Sequence, residues 1–140
     1  MSATSPTLII DRAALMLVIE YAKQGHPYEV CGLIGGNEGV AFQVMPIPNA
    51  SLTPDVAYDM ERQAMVDAII ALQRSGLEVV AIYHSHPNGE PNPSEVDILQ
   101  ATWPDAIYLI VGLDNPEPPE VRAWRIRNGE VEAVELVVTE

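Results

Sequence analysis

Two short stretches of this chain, Val79 to Tyr83 and Ala106 to Leu113, are apolar at almost every position. A strand with alternating apolar residues can leave one face in water. One that is apolar on both faces has to be covered on both, so these runs predict central strands with other elements above and below them. The covering elements are also legible. Asp11 can cap a helix running to Gln24, in which Leu15, Val18, Ile19 and Ala22 fall at i, i+3, i+4 and i+7. A second stripe, Met65, Ala68, Ile69 and Leu72, lies within Glu61 to Ser75, and Gly76 follows where a left-handed C-cap belongs.

The other apolar runs read as strands. Leu8 to Ile10 is a short one, Val30 to Ile34 and Val40 to Met45 flank a turn signal at Gly35 to Gly39, and Val121 to Ile126 and Val131 to Val138 flank Asn128-Gly129. An Asn-Gly pair between two such runs is the strongest short-range hairpin signal. Val79 to Tyr83 delivers His84 to a loop, and Ser94 opens a helix to about Thr102, because Asp97 three residues later completes a pattern resembling a capping box. Pro46 to Pro54, Pro87 to Pro93 and Asp114 to Pro119 read as ordered, proline-rich loops. The order predicts an α/β (α+β) chain in one domain over residues 1–140, a mixed central β-sheet flanked by helices.

Seven basic residues stand against 20 acidic ones, a formal charge of -13, yet only 19% of residues are charged and 48% are hydrophobic, so the acidity accompanies a normal core rather than disorder. Such a charge opposes a phosphate backbone, and no nucleic-acid partner is expected. The longest apolar runs fall short of the ~20 residues that cross a bilayer, so no membrane span is expected. The first charges are Asp11 and Arg12, with no basic region before the apolar stretch that follows, and a cytoplasmic location is the expectation. The lone Cys31 rules out an internal disulfide and a multi-cysteine zinc knuckle. Any metal must therefore be held by histidines and carboxylates.

His84 and His86 are two apart at a strand end, so both imidazoles leave on the same side. Asp97, in the first turn of the next helix, could close a set of two nitrogens and one oxygen around a divalent ion. Three protein ligands leave one position for water, the arrangement that separates catalytic zinc sites from closed structural ones. Cys31 falls on the same strand face as Glu29 and reads as a small buried residue; Trp103 and Trp124 read as packing anchors.

The string His84-Ser85-His86, seven residues from Pro87 to Pro93, Ser94, two residues and Asp97 resembles the JAMM (MPN+) metallopeptidase family. Upstream, Glu29-Val30-Cys31-Gly32-Leu33-Ile34-Gly35 is similar to that family's glutamate-bearing strand, and Val121 to Ile126 resembles the closing strands of small prokaryotic members. The resemblance implies the MPN/JAB, cytidine deaminase-like fold. It implies His84, His86 and Asp97 as ligands of one catalytic Zn2+, Glu29 as general base, and Ser94 as hydrogen-bond donor to the oxyanion. His26 is the only other histidine and supplies no ligand set for a second zinc. The partner implied is a ubiquitin-like or sulfur-carrier protein ending in Gly-Gly, with a homodimer left open. Release of cysteine from such a carrier is the first reading, and isopeptidase action on a lysine-linked conjugate is the second. A metal-free scaffold is an alternative of another class. A RadC-like protein, with a related His-x-His-Pro and Pro-Ser-x-x-Asp pattern, is disfavoured by the short acidic chain.

Overall fold

The computed structural model describes residues 6–114 and 118–140. Of the expected loop Asp114 to Pro119, Asn115, Pro116 and Glu117 lie outside the described residues. The elements in chain order are β1 (Thr7–Asp11), α1 (Arg12–Gly25), β2 (Cys31–Asn37), β3 (Val40–Ile47), α2 (Arg62–Arg74), β4 (Glu78–His86), α3 (Glu95–Gln100), β5 (Ile107–Gly112), β6 (Glu120–Arg127) and β7 (Glu130–Thr139).

The strands form one mixed sheet in the order β1-β3-β2-β4-β5-β6-β7, and β1 also pairs with β7, so the sheet closes on itself. The two all-apolar runs, β4 and β5, lie side by side in parallel near the middle of the order. Side-chain alternation divides the core in two. Ile34, Ala81, Tyr83, Leu109 and Val111 face α1, packing with its Ala14, Val18 and Ala22, while Leu33, Ile82, Tyr108 and Ile126 share the other cluster with Ala68 of α2. Each fully buried aliphatic side chain contributes roughly 1.5–3 kcal/mol of transfer free energy, so the two helix faces together hold the sheet as a three-layer unit.

Helix ends follow the expected chemistry. Asp11 caps α1 by accepting from the Ala14 amide, and the Glu61 side chain caps α2 by accepting from the Gln63 and Ala64 amides. Gly76 has φ of 74°, and Asn128 and Gly129 have φ of 52° and 80°, the left-handed turn conformations their residue types favour.

Three expectations are corrected. The turn between β2 and β3 is confined to Glu38 and Gly39, and β2 runs on through Gly35 and Gly36. Those glycines serve close approach: a Cβ on Gly35 would meet the Leu72 side chain, and one on Gly36 would collide with the Val40 carbonyl. His84 sits inside β4 rather than in a loop, because β5 continues alongside and pairs His84 with Ile110 and His86 with Gly112. The helix after Ser94 ends at Gln100, short of Thr102; the Trp103 amide instead donates to the Tyr108 hydroxyl, turning the chain into β5.

Candidate metal centre

The end of β4 brings its two histidines to the start of α3. His84 Nε2 lies 3.2 Å from His86 Nε2, and Asp97 Oδ2 lies 3.1 Å from the first and 3.0 Å from the second. Three donor atoms thus form a nearly equilateral triangle from residues up to 13 positions apart. The edges match a face of a tetrahedral zinc site, where ligands ~2.0–2.1 Å from the ion stand roughly 3.3 Å from one another.

Hydrogen bonding sharpens the fit. His86 Nδ1 is 2.7 Å from the Glu90 carbonyl oxygen, and a carbonyl only accepts, so Nδ1 carries a proton. A neutral His86 then points the lone pair of Nε2 at a carboxylate oxygen, two acceptors face to face. That arrangement requires a cation between them, either a proton or a metal ion. Burial pushes the His86 imidazole down, but the Asp97 carboxylate and the Glu90 carbonyl outweigh it and hold it above its usual value. For His84, burial dominates and keeps the imidazole below its usual value, in the neutral form that ligates metal. Burial works to raise the Asp97 carboxyl, but hydrogen bonds from both histidines and from the Ser94 amide leave it far below the usual carboxylate range.

Asp97 serves two structures at once. Its amide donates to Ser94 Oγ at 3.0 Å and its Oδ2 accepts from the Ser94 amide at 2.9 Å, a complete capping box, while the same Oδ2 faces the imidazoles. Ser94 is therefore an N-cap, and because its Oγ accepts there, its own hydroxyl proton stays available to a ligand.

Glu29 lies just before β2, and its backbone is fixed by remote groups. Its amide donates to the Pro54 carbonyl at 2.7 Å and its carbonyl accepts from Asn49 Nδ2 at 3.0 Å. The next amide, of Val30, donates to Ser85 Oγ at 2.9 Å, and Ser85 is fully buried between the two histidines. The Glu29 side chain is buried and its Oε1 finds no hydrogen-bond donor within the protein. Burial, partly offset by His86 and reinforced by Asp97 and Asp55, pushes the carboxyl up to about 7.

Sequence reasoning placed the two histidines and Asp97 together, and the structure does the same. It missed Ser85, Asn49 and Tyr58. Tyr58 stacks on the His84 ring with centroids 4.4 Å apart and 26° between planes. Cys31 is buried as expected, its thiol pushed up to about 12 by burial and by the Glu29 charge. Trp103 is packed against the α2-side cluster, and Trp124 Nε1 also donates to the Pro91 carbonyl at 2.8 Å, tying the loop before α3 to β6. Among the described residues, His84, His86 and Asp97 are the one group of three or more histidine, cysteine or acidic side chains placed to share an ion.

The family model of prokaryotic homologs of the JAB domain matches residues 11–127. The chain is similar to the "Probable TtuB-protein conjugate cleaving protease" of Thermus thermophilus, 40% identical over 131 residues and covering 94% of this chain and 82% of that one. It is similar to the CysO-cysteine peptidase of Mycobacterium tuberculosis at 32% identity, covering 89% and 86% respectively. The fold is shared with AF2198, a JAB1/MPN domain protein from Archaeoglobus fulgidus, at a TM-score of 0.64 and 24% identity, over 96% of this chain and 98% of that one. With a family model spanning most of its length and a triangle of donors shaped for zinc, this chain belongs to the prokaryotic JAB family of JAMM-type metallopeptidases.

Proposed function

We propose that the protein hydrolyses the amide bond after the C-terminal glycine of a ubiquitin-like or sulfur-carrier protein, with release of cysteine as its first reaction and cleavage of a lysine-linked conjugate as the second. The observation that carries the reading is the donor triangle of His84, His86 and Asp97, supported by the buried Glu29, whose Oε1 has no hydrogen-bond partner within the protein. The names of the two relatives support both leaving groups, one a protein conjugate and the other a cysteine adduct.

His84, His86 and Asp97 would hold the zinc ion. When bound there, zinc lowers the pKa of water to near 7 and polarises a scissile carbonyl. Glu29 is the base: its free Oε1 accepts the proton of the attacking water, and its affinity near neutrality suits it to return that proton. The proton goes to the leaving nitrogen as the carbon–nitrogen bond breaks, so one amide and one water become one carboxylate and one protonated amine. Ser94 donates a hydrogen bond from its hydroxyl to the oxygen that gains charge at the tetrahedral carbon. An extended Gly-Gly tail could add along β3, whose outer side beyond Ala41 has no paired strand among the described residues and whose Ile47 lies beside Cys31, next to the Glu29 segment.

The test presents one carrier in two forms, Gly-Gly amide-linked to cysteine and Gly-Gly linked to a lysine side chain, with zinc or with chelator. Mass spectrometry should show zinc-dependent return of the free Gly-Gly carrier, faster from the cysteine form. Zinc-loaded protein that cleaves neither form rejects the reading, and faster lysine release would reverse the order of the two reactions.

A further inference from the structure

His84 has an unusual support. A metal-binding histidine ordinarily gives its second ring nitrogen to a carboxylate or carbonyl, which fixes the tautomer and the ring's rotation. His86 follows this rule through the Glu90 carbonyl at 2.7 Å. His84 does not: it is 1% exposed, and its Nδ1 finds no hydrogen-bond partner within the protein. The torsion that turns an imidazole about its own axis has a broad minimum, so without a restraint the ring could carry Nε2 out of the triangle. Yet Nε2 stands within 3.2 Å of both partners.

The restraint is the ring of Tyr58, stacked on His84 at 4.4 Å and 26°. Stacked rings resist being turned edge-on, because rotation of one drives its edge into the face of the other. Tyr58 is itself held on both sides by a single amide. Asn49 Nδ2 donates to the Ala57 carbonyl at 3.1 Å, and Asn49 Oδ1 accepts from the Asp59 amide at 3.0 Å. The same Nδ2 donates to the Glu29 carbonyl at 3.0 Å, so one side chain sets the height of both the stacking ring and the carboxylate.

We infer that Tyr58 is a positioning residue for the metal site, holding His84 in its ligating orientation by ring stacking in place of the missing hydrogen bond, with the ring and not the hydroxyl as the active part. The inference rests on the metal-binding reading above and adds to it a device built from this chain's own loop.

The experiment compares Tyr58→Phe, Tyr58→Leu and wild type as full chains. Zinc affinity is read by competition with a chromophoric chelator, ligand geometry by the visible spectrum of the cobalt-substituted protein, and fold by metal-free melting. Tyr58→Phe should bind zinc within about twofold of wild type and keep the cobalt spectrum. Tyr58→Leu should bind about 10–100-fold more weakly, as when an outer partner of a ligating histidine is lost, with an altered cobalt spectrum. Metal-free melting separates the two effects, since general loosening lowers the melting temperature without singling out the cobalt bands. Tyr58→Leu with wild-type affinity and spectrum would overturn the inference, as would Tyr58→Phe losing as much affinity as Tyr58→Leu, which would assign the role to the hydroxyl. A wild-type protein that takes up no stoichiometric zinc would instead overturn the metal reading and, with it, this one.

Discussion

At the scale of single residues, the site is governed by where protons sit. The Asp97 carboxylate and the Glu90 carbonyl hold His86 above its usual value, so a proton competes with zinc for the site. Zinc affinity should fall as pH is lowered from 7 to 5, by up to about tenfold per unit for each proton displaced. Calorimetry in buffers of different ionisation enthalpy would show the released proton, and pH-independent binding would contradict the assignment. Glu29 carries a second, opposite linkage. Its folded-state value near 7 lies above the ordinary 4.5, so the protonated form is the one the fold favours. That contribution is full below about 4.5 and is lost as pH rises through about 7. Glu29→Gln should therefore keep zinc while losing roughly 10²–10⁴ in turnover. In metal-free form the variant should gain on wild type between pH 5 and pH 8, on the order of 2 kcal/mol by chemical denaturation. Near-normal turnover would remove Glu29 from the mechanism. Ser94→Ala should lower the maximal rate about 10²-fold or more with little change in substrate binding, and should cost about 1 kcal/mol of stability through the lost cap; unchanged turnover would leave Ser94 a cap alone. The two histidines and Asp97 were legible because their spacing puts them at a strand end and in a first helical turn, and because the whole string resembles the JAMM pattern. Tyr58 and Asn49 were not, since they reach the site from a loop with no periodicity, through contacts that exist only after folding.

At the scale of elements, the site depends on β4 being longer than its apolar run. The polar tail His84-Ser85-His86 looks like a loop in sequence, but β5 pairs with it as far as Gly112, and Ser85 turns inward to accept from the Val30 amide. That bond joins the strand of metal ligands to the segment that carries Glu29. Ser85→Ala should leave the partly buried Val30 amide without its partner, costing about 1 kcal/mol of stability, and should lower turnover while zinc is retained. Stability and turnover both at wild-type levels would show that the tie is dispensable. Local chemistry made the β6–β7 hairpin easy to place, because Asn128-Gly129 meets its left-handed turn wherever the strands go. The same reasoning misplaced Gly35 and Gly36, where glycine answers a distant Leu72 and a facing carbonyl instead of a turn.

At the scale of the whole molecule, apolar patterning gave the layers, with β4 and β5 covered on both sides as their composition requires. It could not give closure, which rests on β1 pairing with both β3 and β7, partners distant along the chain. No helix among the described residues is long and apolar enough to cross a membrane. A zinc ion held by the folded triangle and not by the open chain would, at a free level of a hundred times Kd, add about 2.7 kcal/mol of stability, several degrees of melting temperature, reversed by chelator. A melting curve indifferent to zinc would speak against a folded binding site. The closure has a further consequence for how the molecule is made. β1 is made well before its partner: Thr7 to Asp11 pair with Glu135 to Thr139, 128 positions further along the chain. Until β7 is made, the edge of β1 that it covers stays unpaired beside the apolar Leu8 and Ile10, so a stalled or truncated nascent chain would expose a sticky edge.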